Sequence, residues 1–408
     1  MQGVFFSAHM ASSLCSSCGL CSNRLWPTKE SLESCVFNTG WLGEHERALF
    51  GREREPQNPM EARFGITRSR FIARLRKPEE GAQWSGIITR MAAKALEAGI
   101  VEGVVTLHHN KDNYFRPVPV LAMSEEDALK AKGSIPVLSP VLASLDQAAK
   151  KGLKRILVIG AACHLHALRD FQRRSHHLRE MEIYTIGIPC VDNAQPNRLT
   201  WMLERISRSP QTVRHLEFMA DFRVHLRHLD GHIEKIPYFS LPEELSNPEI
   251  FPPSCMSCFD YMNSLSDITV GYLAAPFGKQ KNLQWVLVRT EKGEQLERLL
   301  DGELERFGES GEWECAKFVS STARRAVESM KPTGKSYSPK PRIPLFIGNL
   351  LSAIISSIGP KGIGFAHFSV DHHLIRHYYF VKYRYPHLLE GLVPKHAYSI
   401  LKEYGLEP

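Results

Sequence analysis

From about Phe64 onward the apolar positions fall into two alternating rhythms. Gly86–Ala98 carries Ile87, Ile88, Met91, Ala95 and Leu96 at helical spacing and stops at Gly99. Val101–Leu107 is a short β-branched strand. Helical patterns recur over Glu125–Lys132, Ser139–Lys151 and Leu165–Leu178. Between them, Lys154–Ile159 and Glu182–Ile188 read as buried strands. Strands alternating with helices predict βαβ units and a mostly parallel sheet. After Thr212 the texture changes. Phe218–Leu226 and Gly231–Pro237 flank the sequence LDGH, and Asp-Gly is a strong hairpin turn. Ile268–Tyr272 and Trp285–Arg289 are further short strands. The predicted fold is α/β: a mostly parallel sheet core with an added antiparallel part and a cysteine-rich N-terminal extension.

The ends of the chain lack this patterning. Residues 1–60 begin with cysteines and turn Pro- and charge-rich (GREREPQNPMEARFG). A linker, KPTGKSYSPKPR, occupies 331–342, and an aromatic-rich helical tail follows. The expected organisation is an extension (1–60), an α/β core (61–211), an antiparallel part (212–330) and the tail (331–408). The apolar run Ile343–Gly359 stands at the short limit for crossing a bilayer. With Pro344, Asn349 and several serines in it, the run reads as a buried or interfacial helix.

The net charge of +7 is mild for 408 residues. Its basic clusters at Arg68–Lys77 and Arg169–Arg179 suit a solvated surface or a docking face for an acidic partner. No nucleic-acid-binding signature is present. The N-terminus shows no secretory pattern, so a cytoplasmic bacterial protein is expected. In that setting nine cysteines point to metal or redox chemistry rather than disulfides.

Cys15, Cys18 and Cys21 form C-x2-C-x2-C, a spacing that offers three thiolates to one cubane cluster, with the fourth ligand from elsewhere. Zinc usually takes two separated C-x2-C pairs. Cys255 and Cys258 form a second pair, which by itself fits zinc, a redox dithiol or a cluster. Cys163 and Cys190 each follow a predicted strand, at the sheet edge where α/β proteins build sites. With Cys35 these make eight, enough for two four-cysteine clusters; the pairing is not deducible. Cys315 is left over. Asp260 and Tyr261 follow the second pair directly, Asp192 and Asn193 follow Cys190, and Asp371-His372-His373 offers imidazoles. Asp260, Tyr261 and His373 are the candidate proton donors.

The ordered set CSSCGLC, EGAQWSGIITRMAAKALEAG, VLSPVL, GAACHLHALRDF, IPCVDN, HLDGHIEKIPYFSLP and PSCMSCFDYMNSLSDITVGY resembles the coenzyme F420 hydrogenase β-subunit family. Within it, the set is most similar to the chlorophyll-metabolism branch, which holds divinyl chlorophyllide 8-vinyl reductases and 7-hydroxymethyl chlorophyll a reductase. The resemblance runs from about Cys15 to about Tyr379. It implies FAD, two [4Fe–4S] clusters, electrons from reduced ferredoxin and a chlorophyll-type tetrapyrrole substrate. It also implies flavin contacts from Gly81, Gln83, Ser85, Gly86 and Thr89 in GAQWSGIIT, where glycines and a helix N-terminus let an anion approach the backbone. Homo-oligomerisation and a peripheral association with photosynthetic membranes are left open. The competing classes are an electron-transfer subunit that binds no tetrapyrrole and a zinc-stabilised interaction module.

Overall fold

The computed structural model describes residues 14–23, 25–110, 113–219, 221–242, 251–271, 282–308, 316–331, 342–358 and 362–406. Cys315 lies outside them. The described strands are β1 (Ser69–Leu75), β2 (Gly103–His108), β3 (Val118–Ala122), β4 (Arg155–Gly160), β5 (Glu182–Gly187), β6 (Val213–Met219), β7 (Arg223–His228), β8 (Ile233–Pro237), β9 (Ile268–Gly271), β10 (Gln284–Val288) and β11 (Leu304–Phe307). Eight form one mixed sheet in the order β11-β1-β10-β9-β5-β4-β2-β3. Its centre, β2-β4-β5-β9, is parallel, and the flanking pairs are antiparallel.

Strands apolar on both faces need cover on both sides. In β4, Leu157 and Ile159 face one core while Ile156 and Val158 face the other. The first core is closed by α1 (Ile87–Glu97) through Ile87, Met91 and Ala95. The second is closed by α2 (Ala162–Arg174) through Leu165, Leu168 and Phe171. α3 (Pro196–Ile206) leads to the small antiparallel sheet β6-β7-β8. The later helices are α4 (Ala316–Met330), α5 (Leu345–Ile358), α6 (Ile363–Arg384) and α7 (Lys395–Glu403). α6 packs Val370, Leu374 and Tyr378 into a third core shared with Phe37, Phe64 and Phe259.

The α/β expectation holds, with local differences. The stretch 218–226 is not one strand: it turns at Phe222, whose φ is +57°, so the expected hairpin is a three-stranded meander. β9 and β10 join the main sheet, because every residue in both is buried. Ser139–Lys151 divides into a 3-10 turn, Val141–Ser144, and a short helix, Leu145–Lys150. The helix expected to reach Leu178 stops at Ser175, whose hydroxyl accepts the His177 N–H and caps a new turn. β1 escaped notice because its alternating arginines made it read as a charged surface.

The start of the core is fastened to the tail by buried charge. Arg63 donates through Nε and Nη2 to both carboxylate oxygens of Asp371 on α6, at 2.7 and 2.9 Å. The Tyr404 hydroxyl donates to the same carboxylate. Removing one member of such a pair strands the other's charge. Arg63 also pairs with Glu403, so it is Arg63→Met, which leaves the buried Asp371 without a cation, that is expected to destabilise the protein by about 3–5 kcal/mol. Arg63→Met with Asp371→Leu should recover most of that loss in thermal unfolding.

His45 is buried, and that burial, with the nearby His166, lowers its pKa to about 4 from an ordinary 6.5. A depressed histidine favours the neutral form, so below pH 6.5 the unfolded chain binds more protons. Stability should be full above about pH 6.5 and fall towards pH 4. The slope of melting temperature against pH over that window should flatten in His45→Gln.

Candidate functional site

Parallel pairing places Gly160 beside Gly187, so the chain leaves β4 and β5 at one edge of the sheet. After β4 comes Cys163, in the first turn of α2. After β5 come Cys190 and Asp192. The segment from Cys255 to Asp267 is laid across both strand ends. Asn263 Nδ2 donates to the carbonyls of Gly160 (2.7 Å) and Ile188 (3.3 Å), and the Cys190 N–H donates to the Tyr261 carbonyl. Three other regions hold the segment in place. Trp41 Nε1 donates to the Ser257 carbonyl, His377 Nδ1 to the Cys258 carbonyl, and His166 Nε2 meets Asp260 at 3.0 Å. Arg289, fully buried, donates to the carbonyls of Phe64, Ile66 and Met262 and ties the stretch before β1 to the same segment.

The N-terminal cysteines arrive at the same edge. The Leu142 N–H donates to the Cys18 carbonyl, and Asn23 Nδ2 to the Leu142 carbonyl. Cys18 lies within electrostatic reach of Cys21, Cys35 and Cys163, and Cys35 within reach of Cys15 and Cys21. Cys190, Cys255 and Cys258 form a second group, and Cys163 acts on all three. Cys163 thus stands between the two groups. Burial pushes the Cys35 and Cys163 thiols up to about 11, and raises Cys18, Cys190, Cys255 and Cys258 as well. Among the described residues no three His, Cys, Asp or Glu side chains converge closely enough to hold a single metal ion.

A cavity of about 1480 Å³ runs along this edge. Gln83, Gly86 and Thr89 line one end, at the N-terminus of α1. Gly86 has φ +89°, and a β-carbon there would stand 2.7 Å from the Glu79 side chain, so this turn requires glycine. Ser85 does not line the cavity. It is fully buried, accepting the Leu75 N–H and donating to Gln284 Oε1. Gly81 forms a turn away from the lining. Cys190, Asp192, Tyr261, Ser369, His372 and Arg376 line the other end.

Among the three candidate proton donors, Tyr261 alone lines the cavity. Burial and the nearby Cys190 raise its pKa, so the phenol is protonated at neutral pH. Asp260 lies behind the wall and accepts from the Ser264 N–H and hydroxyl. Burial alone would raise it, but His166, Arg54 and Ser264 hold it well below the usual carboxylate range. His373 is also behind the wall, stacked on Tyr261 with ring centroids 5.2 Å apart, and burial beside His377 keeps it neutral. Burial beside Arg376 lowers His372 to about 4. Asp192 is paired with Arg376 and His377, which hold it ionised despite burial. His164, next to Cys163 in the sequence, also lines the cavity and is lowered to about 4 by burial.

Sequence reasoning missed Asn263, Trp41 and Arg289. Each acts through backbone carbonyls far away in the chain, which leave no local pattern. Asn263→Ala, which frees the Gly160 carbonyl and keeps a φ of +53° without its amide, is expected to cost about 1–3 kcal/mol in thermal unfolding.

The same architecture occurs in known proteins. The F420-reducing [NiFe] hydrogenase complex from Methanosarcina barkeri contains a chain that superposes with a TM-score of 0.53 at 25% identity, over 60% of this chain and 83% of that one. An uncharacterised protein of Nostoc sp. (strain PCC 7120) is 40% identical over 98% of this chain and 96% of its own length. The chloroplastic 7-hydroxymethyl chlorophyll a reductase of Oryza sativa subsp. japonica is 36% identical over 96% of this chain and 82% of its own. Residues 70–146 match the N-terminal part, and 153–305 the C-terminal part, of the coenzyme F420 hydrogenase/dehydrogenase β subunit. Those two stretches span nearly all of the strands, helix α1 and four of the eight cysteines placed above, and the chain belongs to the coenzyme F420 hydrogenase/dehydrogenase β-subunit family.

Proposed function

We propose that this chain is an iron–sulfur flavoprotein that reduces the 8-vinyl group of 3,8-divinyl (proto)chlorophyllide a to ethyl, with reduced ferredoxin as donor. The observation that carries this reading is the gathering of eight cysteines near the carboxyl edge of the sheet beside one large cavity, which Cys190 lines. When bound, two [4Fe–4S] clusters and FAD supply single-electron relay and two-electron storage. The donor set fits. Buried thiols with raised pKa values are costly to ionise unless metal compensates the charge. The C-x2-C-x2-C spacing of Cys15, Cys18 and Cys21 suits a cubane cluster better than zinc. We assign Cys163, Cys190, Cys255 and Cys258 to one cluster and Cys15, Cys18, Cys21 and Cys35 to the other.

A cavity of about 1480 Å³ exceeds the roughly 300–1,000 Å³ of a single drug-sized site, which leaves room for a cofactor and a macrocycle together. Gln83, Gly86 and Thr89 would hold the flavin. Ser85 supports that loop from behind. Reducing a carbon–carbon double bond takes two electrons and two protons, and Tyr261, backed by a hydrogen bond with Ser369, is positioned to deliver a proton from the far end.

The similarity to the rice enzyme favours a second reading, reduction of the 7-hydroxymethyl group of chlorophyll a. Anaerobically purified protein should carry about eight irons and one FAD. Supplied with reduced ferredoxin and each substrate in turn, it should convert the divinyl pigment to its monovinyl form. Conversion of the 7-hydroxymethyl pigment alone would select the second reading. Full cofactors with no turnover of either would leave an electron-transfer subunit. Cys190→Ala is expected to lose about half the iron, and Cys315→Ala none. Tyr261→Phe should keep both cofactors and lower kcat by about 10²–10⁴-fold.

A further inference from the structure

α5 turns the usual pattern of a surface helix inside out. Gly348 and Ser352 face the protein. A β-carbon at Gly348 would stand 2.0 Å from Ser240 Oγ, and Ser352 Oγ donates to the Phe222 carbonyl. Outward stand Phe346 (75% exposed), Leu350 (61%) and Ile358 (71%), with Ile347 and Ile354 alongside. No charged residue interrupts the fourteen positions of the helix. A contiguous exposed apolar face of this kind marks an interaction surface.

The charges that flank the helix in the sequence indicate the partner. Between Ser329 and Val370 the sequence has five basic residues (Lys331, Lys335, Lys340, Arg342, Lys361) and no acidic one. Four precede the helix and one follows it. Among the described residues no single helix is long and apolar enough to cross a membrane. An apolar helical face between cationic flanks is suited to lying in the headgroup region of an anionic bilayer.

We propose that the α5 face docks the protein on an anionic lipid surface. The location adds a purpose. Gly348 packs on Ser240, and Tyr238 and Leu241 of that same turn line the large cavity, as does the half-exposed Phe218 of β6. The inner face of the docked helix therefore packs on a turn that lines the cavity, which shortens the passage of a lipid-soluble macrocycle from bilayer to cavity. This passage rests on the tetrapyrrole reading; the docking does not.

The test is flotation of the purified full-length holoprotein, without tetrapyrrole, on phosphatidylcholine vesicles and on vesicles with about 30% phosphatidylglycerol. The anionic vesicles should carry the protein up and the neutral ones leave it behind, with binding lost in high salt. Leu350→Glu should lower the bound fraction roughly tenfold or more. Lys340→Gln with Lys361→Gln should weaken it without touching the apolar face. Circular dichroism and the visible spectrum establish that each variant is folded. Equal failure to float on both vesicles overturns the proposal, as does binding indifferent to Leu350→Glu. Self-association in sedimentation that Leu350→Glu abolishes, with no flotation, also overturns it and makes the face a subunit contact. Flotation without turnover of any pigment would uphold the docking and sink the substrate assignment.

Discussion

Desolvation governs this molecule. Thiols taken out of water resist ionisation, and here seven cysteines from three distant parts of the chain are pushed that way at one edge of a sheet. Holding them there needs polar groups that satisfy the backbone without adding exposed charge. Asn263, Trp41, His377 and Arg289 do this through carbonyl contacts. The surrounding imidazoles share the constraint: burial keeps His164, His372 and His373 neutral, so the local charge comes from Asp192 and Arg376.

The sheet edge thus has two layers. One consists of groups that reach the cavity: Tyr261, His164, Asp192 and Arg376. The other consists of groups that fix them from behind: Asp260, His166, His373 and Ser85. Membership is decided by which way a side chain points from a loop, since Asp260 and Tyr261 are adjacent in sequence and fall on opposite sides of the wall.

This explains what could be read from the sequence. The cysteine spacing was legible because thiols have few other reasons to cluster, and the parallel core was legible because buried strands and helices carry different periods. Cys163 and Cys190 were placed by the rule that parallel strands end together. Loop orientation was not legible: nothing in SDITVGY distinguishes a separate antiparallel part from a strand inserted next to β5. The turn at Phe222 was hidden because no glycine, proline or asparagine marks it. Long-range partners such as Arg63 and Asp371, 308 residues apart, leave no mark on either neighbourhood.

The position of α6 has a consequence for how the protein is made. The helix spans Ile363–Arg384 and contributes Ser369, His372 and Arg376 to the cavity, while His377 secures the Cys258 carbonyl. A nascent chain emerging N-terminus first displays its cysteines long before this wall exists. For most of synthesis those thiols stay open to solvent and to any carrier that delivers metal. The site seals only when helices beyond residue 362 fold back on residues made hundreds of positions earlier, so whatever the thiols take up has its freest access before those helices are made.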